Sequence, residues 1–254
     1  MEHTPKAVVS AKPLRERIII ALDVPTDNDA RAIIDELRSS VGAFKIGLQL
    51  FTAAGPSFVR EVVESGVKVF LDLKFHDIPN TVASAAIEAA RLGVWMFNVH
   101  AIGGTEMMRL TVDRVLETAL AEGFEVPKII GVTVLTSADS KTLTETGISN
   151  DTAKQVTLLT QLARSSGLDG VVASPNEVSI VRAAAGSGEF MIVTPGIREV
   201  YGTNDDQKRV STLGAALAAG SDYVVVGRAV TQAKDRLGAI DKMIADTDRY
   251  WQQT

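Results

Sequence analysis

"VFLDLKFHDIPNT", Val69 to Thr81, sets four ionisable side chains, Asp72, Lys74, His76 and Asp77, into a hydrophobic run. Around them Val69, Phe70, Leu71, Leu73 and Phe75 have the make-up of a strand interior. An unpaired buried ion costs several kcal/mol, so the placement needs a reason. Two are open: an ion-pair network that fixes strand register, or a preorganised charge array built for a reaction.

Working outward, short apolar runs of the same kind recur through the chain. Eight read as strands: "RIIIALDV" (17–24), "AFKIGLQL" (43–50), "KVFLDLK" (68–74), "WMFNVHA" (95–101), "KIIGVTVL" (128–135), "GVVASP" (170–175), "FMIVTPG" (190–196) and "YVVVGRA" (223–229). Between them lie stretches such as "DNDARAIIDELRSS" and "IPNTVASAAIEAARLG", where apolar residues recur at helical spacing. Thr26 followed by Asp29 reads as a helix start, and Gly66, Gly93, Gly123, Gly167 and Gly220 sit where helices would stop. Several strands are β-branched on both faces, which implies burial on both sides and parallel pairing. Eight βα units in this length predict an α/β fold, a single-domain (β/α)8 TIM barrel over 16–250 behind a flexible N-terminal extension, 1–15. An open doubly wound sheet fits less well, because no GxGxxG follows the first strand. The stretches 136–152 and 197–208 read as the longest irregular connections.

Composition narrows the function. Aromatic residues are only 5% of the chain, so the core must be aliphatic. A net charge of -5 supplies no basic stripe for phosphate backbones, and no nucleic-acid partner is expected. The absence of cysteine excludes disulfides, thiolate metal sites and a cysteine nucleophile. No run reaches the ~18 apolar residues of a membrane span, and "MEHTPKAVVSAKPLRER" lacks a signal-peptide core. A soluble, cytoplasmic protein without a membrane partner is expected.

In such a barrel the chemistry sits where strands end. Read strand by strand, those positions offer Asp23, Lys45, Asp72 with Lys74, Asn98 with His100, Thr136 with Ser137, Ser174, Pro195-Gly196-Ile197-Arg198 and Gly227-Arg228. Asp72 and Lys74 are two apart and point to one side of a strand. With Lys45 on the neighbouring strand and Asp77 just beyond, they form an alternating array, Lys, Asp, Lys, Asp. Gly227-Arg228, at the end of the last strand, suits a phosphate, and the preceding "TPGIREVYGTNDDQKR" adds Arg198 and Gln207 as donors on a lid-length loop. Asp23 suits either a helix cap or a sugar hydroxyl. The three histidines show no metal-ligand spacing, and His100 reads as a core residue.

These residues resemble the orotidine 5'-phosphate decarboxylase family. "LDLKFHDIPNT" is similar to its signature, Asp-x-Lys-x-x-Asp-Ile-Pro-x-Thr, and the likeness runs through "IIIALDV", "FKIGLQLF", "VTVLTS", "TPGIR", "DDQKR" and "VVVGRAV". The resemblance implies cofactor-free, metal-free decarboxylation of orotidine 5'-monophosphate to UMP. It makes Asp23 the ribose ligand, Lys45 a member of the charged array, Asp72 the carboxylate facing the substrate's carboxylate, and Lys74 the proton donor to C6. It sends Asp77 and Thr81 into a neighbouring subunit's site, so a homodimer with shared active sites is implied. Thr136, with Ser137 as competitor, would contact the base. Pro195, Arg198, Gln207, Gly227 and Arg228 would bind the rest of the nucleotide and close the lid. The rivals are a Mg²⁺-dependent 3-keto-gulonate 6-phosphate decarboxylase, against which Lys45 argues because a metal needs oxygen ligands there, and a non-catalytic nucleotide sensor.

Overall fold

The computed structural model describes residues 12–197 and 211–253. Arg198 and Gln207 lie outside the described residues. Strands β1 (Ile18–Ala21), β2 (Ala43–Gly47), β3 (Val69–Phe75), β4 (Met96–His100), β5 (Lys128–Val132), β6 (Gly170–Val172), β7 (Met191–Ile197) and β8 (Tyr223–Val226) pair in chain order and close into one barrel. Every neighbouring pair is parallel, including β8 back to β1. Around it run helices α1 (Asp27–Leu37), α2 (Leu48–Glu64), α3 (Pro79–Arg91), α4 (Gly104–Glu122), α5 (Ser140–Glu145), α6 (Thr152–Ser165), α7 (Val178–Ala185), α8 (Leu213–Ala218), α9 (Arg228–Thr231) and α10 (Arg236–Gln253). This is the TIM barrel that the alternating apolar runs predict. Among the described residues no helix is long and apolar enough to cross a membrane.

Strand alternation sorts the core into two layers. Ile18, Ile20 and Leu22 of the first βα unit pack outward with helix residues such as Ile33, Ile34 and Leu37. Ile19 and Ala21 point the other way, joining Ala43, Phe70, Met96, Ile130, Val193, Tyr223 and Val225 in the barrel interior. With period two, the next inward positions above these are Asp23, Lys45, Asp72, Asn98, Pro195 and Gly227. The functional end of the barrel is thus the upward continuation of its apolar lining.

Local signals account for most element ends. Thr26 Oγ1 accepts the Asp29 N–H at 3.1 Å and caps α1. The five glycines read as helix stops all have positive φ. Three readings change. The second run reads as a strand to Leu50, but β2 ends at Gly47 and "LQL" opens α2, which is kinked at Gly55 (φ 71°) and buries Leu50 before the kink and Phe58, Val59 and Val62 after it. Two leucines either side of a polar residue cannot distinguish the two periods. The connection 136–152 is less irregular than expected, because Asp139 accepts the Thr142 N–H at 3.0 Å and starts α5. Strand 8 stops at Val226, and Gly227 precedes the short α9.

Candidate active site

Four charged side chains at the carboxyl ends of β1, β2 and β3 form a continuous chain. Lys45 Nζ lies 3.0 Å from Asp23 Oδ1 and 3.3 Å from Asp72 Oδ2, and Lys74 Nζ lies 2.6 Å from Asp72 Oδ1. The register explains the meeting, since Lys45 pairs with Ala21 and Phe70, and Gly47 pairs with Asp72. Burial is uneven: the Lys45 and Asp72 side chains are 11% and 12% exposed, Lys74 29% and Asp23 60%. Lys74 is therefore the accessible cation of a mostly buried array.

Burial opposes both inner charges, and their partners win. Desolvation pushes the Asp72 carboxyl up, but the ammonium groups of Lys45 and Lys74, with hydrogen bonds from Lys74 and Asn98, hold it below the usual carboxylate range. Desolvation likewise works against the Lys45 ammonium, and Asp72 and Asp23 together raise its pKa above the ordinary lysine value. Acidic and basic side chains alternate along the array, two of each. Fixed charges away from water stabilise developing charge without reorganising.

Asp72 and Lys74 meet for a reason that simple alternation does not supply. In the β3–β4 register Leu71 pairs with Phe97 and Phe75 with Val99, so Asp72, Leu73 and Lys74 all stand opposite Asn98. The strand bulges there, and Lys74 takes φ 54°, the one positive φ of a non-glycine among the described residues. Such a conformation costs about 1–3 kcal/mol and persists only where the surroundings enforce it. Asn98, 1% exposed, accepts the Lys74 backbone N–H at 2.8 Å and donates to Asp72 Oδ1 at 2.7 Å. In the sequence Asn98 is only one of several polar residues at strand ends. The available signal was its position, one inward step above Met96.

The remaining predicted residues surround this array. Asp77 and Thr81 are exposed on the turn and first helical residues after β3. Asp77 Oδ1 accepts the Ile78 N–H at 2.7 Å, and among the described residues Asp77 makes no ion pair. Within one chain the array thus runs Asp23–Lys45–Asp72–Lys74, with Asp77 outside it. Thr136 and Ser137 occupy the corner of a turn closed by the Ala138 N–H on the Leu135 carbonyl. At Pro195-Gly196 the β7–β8 register slips by one residue, as suits a proline without a donor. Ile197 then bridges to Ser211, whose N–H donates to the Gly196 carbonyl at 3.3 Å. Gly227 leads into α9, and Arg228, its first residue, is exposed. His100 is half-buried with its ring 5.6 Å from that of His76. Burial, then the charges of His76 and Lys74, push its pKa down.

Known proteins resemble this chain along most of its length. The profile of the Orotidine 5'-phosphate decarboxylase / HUMPS family matches residues 16–243. The orotidine 5'-phosphate decarboxylase of Syntrophotalea carbinolica is 49% identical over 232 residues, 91% of this chain and 95% of its own. That of Moorella thermoacetica is 48% identical over 235 residues, covering 92% and 93%. Among solved structures, orotidine 5'-phosphate decarboxylase from Lactobacillus acidophilus superposes with a TM-score of 0.79 at 36% identity, covering 91% of this chain and 98% of that one.

Proposed function

This chain belongs to the orotidine 5'-phosphate decarboxylase / HUMPS family, and we propose that it converts orotidine 5'-monophosphate to UMP and CO2, as a carboxy-lyase of pyrimidine biosynthesis that needs no cofactor. The observation that carries this reading is the buried, alternating chain Asp23–Lys45–Asp72–Lys74 at the carboxyl end of the barrel.

The C6–carboxylate bond breaks, CO2 departs, and the bonding electron pair stays on C6 in the plane of the ring, where the π system cannot delocalise it. Stabilisation must come from outside the ring. The Lys74 ammonium supplies positive charge beside C6 and then gives it a proton, leaving an amine that water reprotonates. Asp72 holds that ammonium in place and faces the substrate's carboxylate, and Lys45 keeps Asp72 ionised. At an effective dielectric of ~20, one unit charge pair at ~4 Å contributes about 4 kcal/mol. The largest enzymatic accelerations need about 20 kcal/mol or more, so binding of the rest of the nucleotide has to supply much of the difference. That task falls to Asp23 at the ribose, Thr136 or Ser137 at the base, and Pro195, Arg198, Gln207, Gly227 and Arg228 at the phosphate end. Lys45 Nζ stands between the two carboxylates, and an ammonium there supplies none of the oxygen ligands that a metal-dependent relative would need.

The active form is a homodimer in which Asp77 and Thr81 enter the partner's site. Two features support this. Among the described residues Asp77 has no ion partner, and the rim beside it exposes Leu48, Ile78, Ile102 and Leu135, with Ile78 at 67%. An apolar rim around a charged mouth suits a protein interface. Residues 16–250 form the catalytic unit, with 1–15 as an extension to it, and the protein is placed in the cytoplasm.

The test follows ultraviolet absorbance of orotidine 5'-monophosphate with EDTA present. Its loss, with UMP as product, is expected. No loss, with Mg²⁺-dependent turnover of a keto-sugar phosphate instead, would overturn the reading.

A further inference from the structure

We infer that Asn98 is a positioning residue for the Lys74 ammonium, an inference that rests on the decarboxylase reading above. Three observations converge on it. Asn98 stands alone on β4 opposite the three-residue bulge Asp72–Lys74 of β3. Its amide joins the two ends of that bulge, taking the Lys74 backbone N–H on Oδ1 and giving an Nδ2 hydrogen to Asp72 Oδ1. Lys74 has the one positive φ of a non-glycine among the described residues.

The chemistry asks for an amide. A regular strand would satisfy the Lys74 N–H from a backbone carbonyl across the ladder, but the bulge breaks the ladder. The replacement must accept from an N–H and donate to a carboxylate within one short, buried side chain. A carboxylate there lacks the donor, an alkyl chain lacks both groups, and serine is too short to reach both ends. With the amide in place, the left-handed turn at Lys74 directs its side chain back across the bulge, so that the ammonium returns to the carboxylate two residues before it. Without it, Lys74 relaxes toward ordinary strand geometry and its Nζ moves off the site. Asn98 touches no substrate. It sets where the reacting proton sits.

Asn98→Asp and Asn98→Ala test this. Asn98→Asp keeps the side chain's size and the acceptor for Lys74, but replaces the donor with a negative charge against Asp72. Asn98→Ala removes both hydrogen bonds. In each, kcat is expected to fall about 100-fold, the scale of a displaced catalytic group. KM and the Kd for UMP should stay within about threefold of wild type, since the groups that bind the nucleotide are untouched. In Asn98→Ala the acidic limb of the kcat profile should also move to higher pH, because Asp72 loses a donor to its ionised form. Should the alanine variant fail to fold, the size-matched Asn98→Asp carries the test. A kcat within about threefold of wild type in Asn98→Asp, or a loss of UMP binding in proportion to kcat, would overturn the assignment. Wild-type protein in the same assay separates the two claims. If it consumes no orotidine 5'-monophosphate, the decarboxylase reading fails. If it does and the variants match it, only the role of Asn98 fails.

Discussion

Gly47 leaves open the space beside the Lys45 ammonium: a Cβ built at Gly47 would stand 3.1 Å from Lys45 Nζ and 3.5 Å from Asp23 Oδ1. The backbone does not require glycine there, because φ -97° and ψ -176° are open to any residue. Gly47→Ala should therefore keep or slightly raise stability, by up to ~1 kcal/mol, through a less flexible unfolded chain. The methyl group would still press the lysine away from its two carboxylates. Turnover of orotidine 5'-monophosphate is expected to drop about 10-fold or more. Urea melts and steady-state kinetics on one preparation check both halves, and an alanine variant of full activity would show that the array tolerates displacement.

Lys45 and Asp72 should separate stability from catalysis. Lys45→Met takes one of two cations from buried Asp72, which keeps Lys74 and Asn98, so a loss of about 2 kcal/mol is expected, short of the cost of a wholly unpaired charge. Pairing it with Asp72→Asn removes the under-compensated carboxylate, at the cost of Lys74's partner, and should recover part of that stability while turnover stays abolished. A double variant no more stable than Lys45→Met would mean that the pair is not coupled. The pH signs follow from the shifts. Asp72 is depressed in the fold, so its contribution is present above about pH 4 and fades as pH falls through its folded pKa. Lys45 is raised, so its contribution is present below about pH 10 and fades as pH climbs through its folded value. Melting temperature against pH should show both limbs in the wild type, and neither of these two contributions in the double variant.

Much of this site was legible in the sequence because strands impose a period of two. Once Ile19, Phe70 and Met96 line the barrel, the alternation leads upward to Asp23, Asp72 and Asn98 without any structure. The resemblance to the family added what the period cannot, such as a role for Thr81 on a helix. The misreadings have the same root. "LQL" alternates well enough to pass for strand, and only its packing against the barrel shows Leu48–Glu64 to be helix. The conformation of Lys74 was hidden for a different reason. A left-handed lysine runs against local propensity and exists because Asn98, on another strand, holds it, so no window of sequence around Lys74 contains the cause. Gly47 was invisible in the same way, since its value lies in a neighbour's side chain.

His100 should give the protein a modest loss of stability on mild acidification. Its pKa is lowered first by burial, then by the positive charges of His76 and Lys74, with Asp72 opposing. A depressed histidine favours the fold while neutral, so its contribution is present above about pH 6.5 and lost as pH falls through the folded pKa. His100→Gln, which cannot titrate, is expected to flatten the decline in melting temperature between about pH 7 and pH 5. An unchanged slope would shift the acid sensitivity to other groups.

Shared active sites make a prediction about mixtures. If Asp77 completes the partner's array, Lys74→Ala and Asp77→Ala should each be nearly inactive alone. In a mixed dimer one site combines both lesions, while the other takes Lys74 from one chain and Asp77 from the other and is wholly intact. After random reassortment of equal amounts, half the dimers are mixed and each holds one good site, so about a quarter of wild-type turnover should return. The reassortment needs brief dissociation in mild denaturant and refolding together, with each variant treated alone as control. If Asp77 instead served the site of its own chain, a mixed dimer would contain no site with both residues, and mixing would recover nothing.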